Sequence, residues 1–283
     1  MNPIPLYEAA EVELYGRKAV NLGVALKHCL PVPEGYVLPA SMVVQFVKGE
    51  LHIEGEIRSM LDALGSVSVR SSAIQEDGEQ SSYAGLFHSC LNVTTVEGVE
   101  RAIRYIWESA QSKRLNSYKR RAEGVATIGN NDKSVQIALI VQRMINSDVS
   151  GILFTRNPVT YADERVIEAA WGLGEAVASG YVTPDSFRMN RNGEITESTA
   201  SLKEIAIRFG QCEGIIESRL DDYTANSLCL TAKQCTQLNG LADNCEQTFG
   251  PNIDMEWTFA DGKLWLLQCR RITGLNIREG PFN

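Results

Sequence analysis

The sequence predicts a mixed α+β protein arranged as two lobes, and three stretches carry that expectation. Residues 95–124 set Val99, Ile103, Ile106, Trp107, Ala110 and Leu115 at helical spacing, the 3.6-residue period of an amphipathic helix. Residues 134–145, SVQIALIVQRMI, form a nearly continuous apolar run suited to the middle of a sheet. Residues 253–273, IDMEWTFADGKLWLLQCRRIT, read as two short strands joined at Asp261-Gly262, a dipeptide that favours a tight hairpin turn. The best seam falls near residue 142 and divides the chain into lobes 1–141 and 142–283. A cleft between two such lobes is a favoured ligand site.

Bulk composition narrows the function classes. The 283 residues are 44% hydrophobic and 22% charged, enough to bury a sizeable core. A formal net charge of −8 argues against nucleic acid as a partner, because its phosphates are met by lysine and arginine. No apolar run approaches the roughly 20 residues of a membrane span, so no membrane partner is expected. The N-terminal MNPIPLYEAAEVELYGRK lacks the basic start and apolar middle of a secretion signal. Seven cysteines without a Cys-x-x-Cys pair read as reduced thiols of a cytoplasmic protein. The three histidines are too dispersed to propose a metal cluster.

Taken in order, GRKAVNLGVALKH (16–28) reads as a loop running into a helix, with Lys18 where the turn opens. A lysine there reaches an anion held at the helix start, or is simply solvated. Pro31-Val32-Pro33-Glu34-Gly35 is a rigid turn, Tyr36-Val37-Leu38 a strand, and Ser41 an N-cap for the helix that follows. In residues 66–93, SVSVRSSAIQEDGEQSSYAGLFHSCLNV, Val67 and Val69 alternate with polar residues as in a half-buried strand. Arg70, Ser71 and Ser72 then leave the strand end for an acidic, serine-rich loop that reaches Gly85. Such residues let backbone amides approach phosphate, with Arg70 to clamp the charge; an ordinary surface loop has the same composition. Lys119-Arg120-Arg121 suits the negative end of a helix dipole. Gln142-Arg143-Met144-Ile145 ends the central apolar run, where it either meets a purine edge and face or packs in the core.

Residues 148–158 and 166–170 read as further strands, the second followed by the turn Trp171-Gly172-Leu173-Gly174-Glu175 and a small-residue helix to Gly180. The glycine spacing fails the dinucleotide fingerprint, and the chain contains no GxxxxGK[ST], which excludes a P-loop site. Residues 182–187 begin a strand that turns at Asn192-Gly193, and 200–231 read as β-structure joined by loops, with Lys203 an isolated base. A helix over 231–249 is capped by Thr231 and stopped by Gly250-Pro251. In the hairpin beyond it, strand alternation puts Asp254 with Glu256 on one face, and Gln268 with Arg270 likewise. Carboxylates, an amide and a guanidinium on one patch suit a magnesium-bound polyphosphate. An edge hairpin with a polar outer face has the same pattern.

The order of these stretches is more specific than any one of them. GRKAVNLG, PVPEGYVL, SVRSSAIQED, SYAGLFHSCLNV, VQRM, DVSGILFTRNP, WGLGEAVASGYVTPDSF and DMEW…LLQCRRIT follow one another between about residues 12 and 273. This series resembles the nucleotide-binding domain of the phosphoenolpyruvate synthase and pyruvate, phosphate dikinase family, shared by rifampin phosphotransferases. The resemblance implies an ATP-grasp fold in which two α+β lobes enclose a nucleotide cleft for ATP and Mg²⁺, and a phosphotransferase (kinase) activity. By position it implies Lys18 and Arg70 as phosphate contacts, Gly85 within a phosphate-covering loop (66–93), and Gln142, Met144 and Ile145 at the adenine hinge. It implies Glu175 at the ribose side, Glu256 and Gln268 as the metal and phosphate pair with Asp254 beside them, and Arg270 at the terminal phosphate. Catalysis on this reading is positioning and charge neutralisation.

Departures from the pattern bear on the acceptor. The family passes phosphate to a histidine on a swivelling domain, yet residues 1–283 include neither a histidine domain nor a pyruvate-binding barrel. The expected acceptor is therefore a phosphohistidine-carrier protein separate from this chain. Direct transfer to a small-molecule acceptor and a non-catalytic nucleotide-binding module are the alternatives. His88 stands where the covering loop is expected to carry a glutamine or an acid, and Cys269 and Arg271 replace a small residue and a proline.

Overall fold

The computed structural model describes residues 2–73, 77–78, 81–82, 89–122 and 136–272. The chain divides into one unit of residues 1–24, 34–144 and 210–214, and another of 25–33, 145–209 and 215–283. Elements before the division at Met144 are β1 (Ile4–Pro5), α1 (Val12–Lys27), β2 (Gly35–Leu38), α2 (Ala40–Val47), α3 (Glu54–Leu64), β3 (Val67–Ala73), β4 (Asp77–Gly78), β5 (Ser81–Ser82), β6 (Ser89–Val93), α4 (Val96–Ala122) and β7 (Ile137–Arg143). After it come β8 (Val149–Phe154), β9 (Arg165–Trp171), α5 (Glu175–Ala178), β10 (Asp185–Met189), β11 (Ile195–Thr199), β12 (Ile205–Phe209), β13 (Ile215–Arg219), α6 (Asp222–Asn226), α7 (Ala232–Phe249), β14 (Ile253–Ala260) and β15 (Lys263–Arg271).

The first unit is organised on β7, the middle strand of a sheet ordered β1-β2-β7-β3-β6. Residues Ile137 to Val141 are all fully buried, so both faces of the strand are covered; that is why the run shows no polar alternation. Leu139 and Val141 join Val67 and Val69 in a core closed by Met42 and Phe46 of α2, Ile57 and Met60 of α3, and Val99, Ile103 and Ile106 of α4. The expected helix over 95–124 is α4, and Thr95 Oγ1 accepts the Gly98 amide at its start, 3.1 Å.

Three local expectations are corrected here. The helix after β2 begins at Ala40 with Pro39 as its N-cap, so Ser41 lies inside its first turn; proline suits a helix entrance, where no amide partner is needed. β3 is not half-buried, because Ser68, Ser71 and Ser72 are as enclosed as the valines beside them. The strand also continues to Ala73, which places Arg70 in its middle rather than beyond its end. α3, with Ile57, Met60 and Leu64 buried on one stripe, was not anticipated.

The second unit holds an antiparallel sheet ordered β11-β10-β9-β8-β14-β15. α7 lays Leu238, Leu241, Ala242 and Cys245 against β14 and β15. Its start is the expected one: Thr231 and Gln234 form a capping box, satisfying two orphan donors reciprocally. Inside, Trp257 and Phe259 meet edge to face at 5.7 Å. Lys203 is not an isolated base. Its ammonium is fully buried against Asp185 Oδ1 and the Ser201 carbonyl, while Asp185 also accepts the amides of Ser201 and Cys229. A buried charge requires such partners, and this one ties the head of β10 to the segments leading into β12 and α7. Among the described residues, no helix is long and apolar enough to cross a membrane.

Candidate functional site

The chemistry anticipated on the 253–273 hairpin depends on one irregularity in its register. Asp261 and Gly262 take φ of 50° and 72°, the two positive values of a type I′ turn. From Ala260↔Lys263 the strands pair in step to Trp257↔Leu266; the register then shifts, and Glu256 pairs with Gln268 and Asp254 with Arg270. Leu267 is the extra residue. Without that bulge Gln268 would oppose Met255 and turn to the other face, since neighbours on a strand alternate. Bulges commonly re-aim side chains in this way. The consequence is one face bearing two carboxylates, an amide and a guanidinium.

Within that face Arg270 Nε donates to both oxygens of Asp254, each at 2.9 Å. Asp254 is 7% exposed, so the carboxylate is shielded and holds the guanidinium by its Nε edge. Asp254 thus serves Arg270 directly, whereas Glu256, half-buried, stands across from the Gln268 amide. Cys269 points to the opposite face, where its hydrogen bond with Cys245 and its burial hold the thiol well above the ordinary range; it is a protonated core side chain. Among the described residues no group of three or more His, Cys, Asp or Glu side chains is placed to hold an ion. The chemistry of Glu256 and Gln268, one carboxylate and one amide oxygen, suits a hard cation such as Mg²⁺ that takes its other oxygens from substrate and water.

The turn Trp171–Glu175 is in the same unit. Gly172 has φ +81°, and a Cβ there would lie 2.3 Å from the Ile207 carbonyl; only glycine allows that approach. Leu173 N–H bonds the Ile207 carbonyl at 2.8 Å, and Trp171 Nε1 bonds that of Thr224 at 3.1 Å. Glu175, first residue of α5, is exposed.

In the first unit, a Cβ on Gly16 would lie 2.2 Å from the Ser72 carbonyl, and Ala19 N–H bonds Ser72 Oγ at 3.0 Å. These two contacts seat the GRKA turn on β3. Arg70 shares the Ser72 face of that strand, so Lys18 and Arg70, both half-buried, belong to one neighbourhood. The seating serine was missed from the sequence; its signal is its place two residues after Arg70. Gln142 is buried inside β7, and the amides of Arg143 and Met144 are bonded to the carbonyls of Glu34 and Ser66 at 2.8 and 2.9 Å. Those two donors are thereby committed within the fold; Met144 and Ile145 are half-buried. Gly85 and His88 lie outside the described residues.

A family model described as pyruvate phosphate dikinase, AMP/ATP-binding domain, matches residues 50–280. An uncharacterized phosphotransferase of Bacillus subtilis, YvkC, is 33% identical over 93% of this chain and 34% of its own length. A probable phosphoenolpyruvate synthase of Archaeoglobus fulgidus is 29% identical over 93% of this chain and 40% of its own. A rifampicin phosphotransferase of Streptomyces sviceus is 35% identical over 74% of this chain and 23% of its own. The chain spans well under half the length of each of these relatives.

Proposed function

Because the chain belongs to the pyruvate phosphate dikinase AMP/ATP-binding domain family, we propose that it binds Mg-ATP in an ATP-grasp fold and transfers phosphate to a histidine outside residues 1–283. The observation that carries this reading is the shifted hairpin register, which aligns Glu256 with Gln268 and Asp254 with Arg270. Glu256 and Gln268 would hold Mg²⁺, which would neutralise phosphate charge. Arg270, oriented by Asp254, forks the terminal phosphate. Lys18 and Arg70 contact phosphate, Gly85 belongs to the covering loop, Gln142, Met144 and Ile145 line the adenine, and Glu175 meets the ribose. No covalent step falls to this domain; positioning and charge neutralisation lower the barrier.

Incubation with Mg²⁺ and ATP labelled at the β or γ position, alone and with the histidine domain of a relative, tests the proposal. AMP, inorganic phosphate and a labelled protein are expected. One relative's name specifies rifampicin, which supports a second reading, direct transfer to a small molecule; ADP and a labelled small product identify it. Tight ATP binding without turnover under every condition rejects both in favour of a non-catalytic module.

A further inference from the structure

The glycine turn is bonded from below by a pair of hydroxyls that the readings above leave without a role. Ser150 of β8 and Thr258 of β14 are directly opposed across the sheet, and both are fully buried. Ser150 Oγ donates to the Gly172 carbonyl at 2.7 Å and lies 2.8 Å from Thr258 Oγ1. A carbonyl only accepts, so the serine proton goes to Gly172 and the threonine proton is directed to Ser150 Oγ. The carbonyls of Val149 and Phe259, 3.1 and 3.4 Å from Thr258 Oγ1, are the longer alternatives for that proton. The result is a directed relay from Thr258 through Ser150 to Gly172. Above it, a Cβ on Gly174 would rest 3.5 Å from Ser150 Cβ, so the turn lies on the serine.

Each end of the relay belongs to an element already assigned a nucleotide contact. Thr258 is two residues from Glu256 on β14 and shares its face. Gly172 is three residues before Glu175, and its own amide is bonded to the Asp148 carbonyl at 2.8 Å. We propose that Ser150 and Thr258 are positioning residues: they set the height of the glycine turn above β14 and so fix Glu175 relative to Glu256. A hydroxyl pair is short and directional, and each member is buried where an unmet polar group is costly. Two discrete elements are held in register by it without either side chain touching the nucleotide. The inference rests on the reading of Glu175 as a ribose contact, and its test separates the two.

Binding of Mg-ATP, Mg-2′-deoxy-ATP and Mg-3′-deoxy-ATP is measured by calorimetry for the wild type, Ser150→Ala, Glu175→Ala and the double variant, with thermal unfolding as the check on folding. Ser150→Ala and Glu175→Ala are each expected to weaken Mg-ATP binding about fivefold, the effect of one lost hydrogen bond. Both should leave the deoxy analogue that lacks the recognised hydroxyl unaffected, and the double variant should bind no more weakly than the worse single one. General loosening of the core would weaken all three ligands together, and that result overturns the inference. An additive double variant, or Ser150→Ala with the wild-type preference for ATP, overturns it while leaving Glu175 its role. Glu175→Ala with the wild-type preference overturns both. If Ser150→Ala does not fold, Thr258→Val removes the other end of the relay and is judged by the same outcomes, with Thr258→Ser as the conservative variant that retains the preference.

Discussion

Lys203 and Glu256 show how differently two charged side chains of one unit respond to replacement. Lys203→Met leaves Asp185 fully buried and short of its cation. Removing one member of a buried pair typically costs about 3–5 kcal/mol, and urea denaturation is expected to show a loss of that order with nucleotide absent. Glu256 is half-buried, so Glu256→Ala should abolish Mg²⁺-dependent turnover while shifting the unfolding temperature little. Retained turnover would remove Glu256 from the metal site. The sequence distinguished these residues poorly: the partner of Lys203 is Asp185, 18 residues away on strand β10, whereas Glu256 sits in a strand whose alternation is visible. Residue chemistry is legible where the partner is near in sequence and obscure where folding supplies it.

Elements were read best where one physical rule decided them. α7 was legible at both ends because Thr231 and Gln234 form a capping box and Gly250 ends the helix; Thr231→Ala should lower stability by about 1 kcal/mol, measurable as a shift in denaturation midpoint. The hairpin turn was legible for the same kind of reason. Its register was not, since Leu267 resembles the leucines around it and nothing local marks it as a bulge. β3 misled because serine counts as polar in a pattern, yet Ser72 is buried and bonded to Ala19. The entrance to α4 carries a pH signature that no pattern foretold. Glu213 is held below the usual carboxylate range by hydrogen bonds from the Thr95 hydroxyl and then the amides of Thr94 and Thr95. A lowered folded value means this stabilisation is complete above the unfolded carboxylate pKa of about 4.3 and is lost as pH falls through the folded value. Glu213→Gln should therefore flatten the acid limb of the stability profile, compared by thermal unfolding at pH 6 and pH 3.5.

At the scale of the molecule, the order of the motifs was informative before any contact was known, because order survives even where each motif is individually common. It led to the family; it did not reveal the acceptor. Ligand linkage gives a test that needs no acceptor. Mg-ATP at 100 times its dissociation constant should stabilise the fold by about 2.7 kcal/mol, and the gain should vanish in Arg270→Ala if that guanidinium anchors the terminal phosphate. An unfolding temperature that ignores nucleotide at any concentration would argue against a functional site in this chain.

The Asp254–Arg270 pairing has a consequence for which form of nucleotide is admitted. The hairpin face carries two carboxylates and one guanidinium, and Asp254 engages the guanidinium at 2.9 Å. With two carboxylates against one guanidinium the formal charge of this face is net negative, so on the Mg-ATP reading a nucleotide that brings a divalent cation is expected to bind there better than bare ATP. Titration with ATP in excess chelator should give binding at least about tenfold weaker than with Mg²⁺, a difference of some 1.4 kcal/mol, and Glu256→Gln should narrow that gap by improving the binding of metal-free ATP.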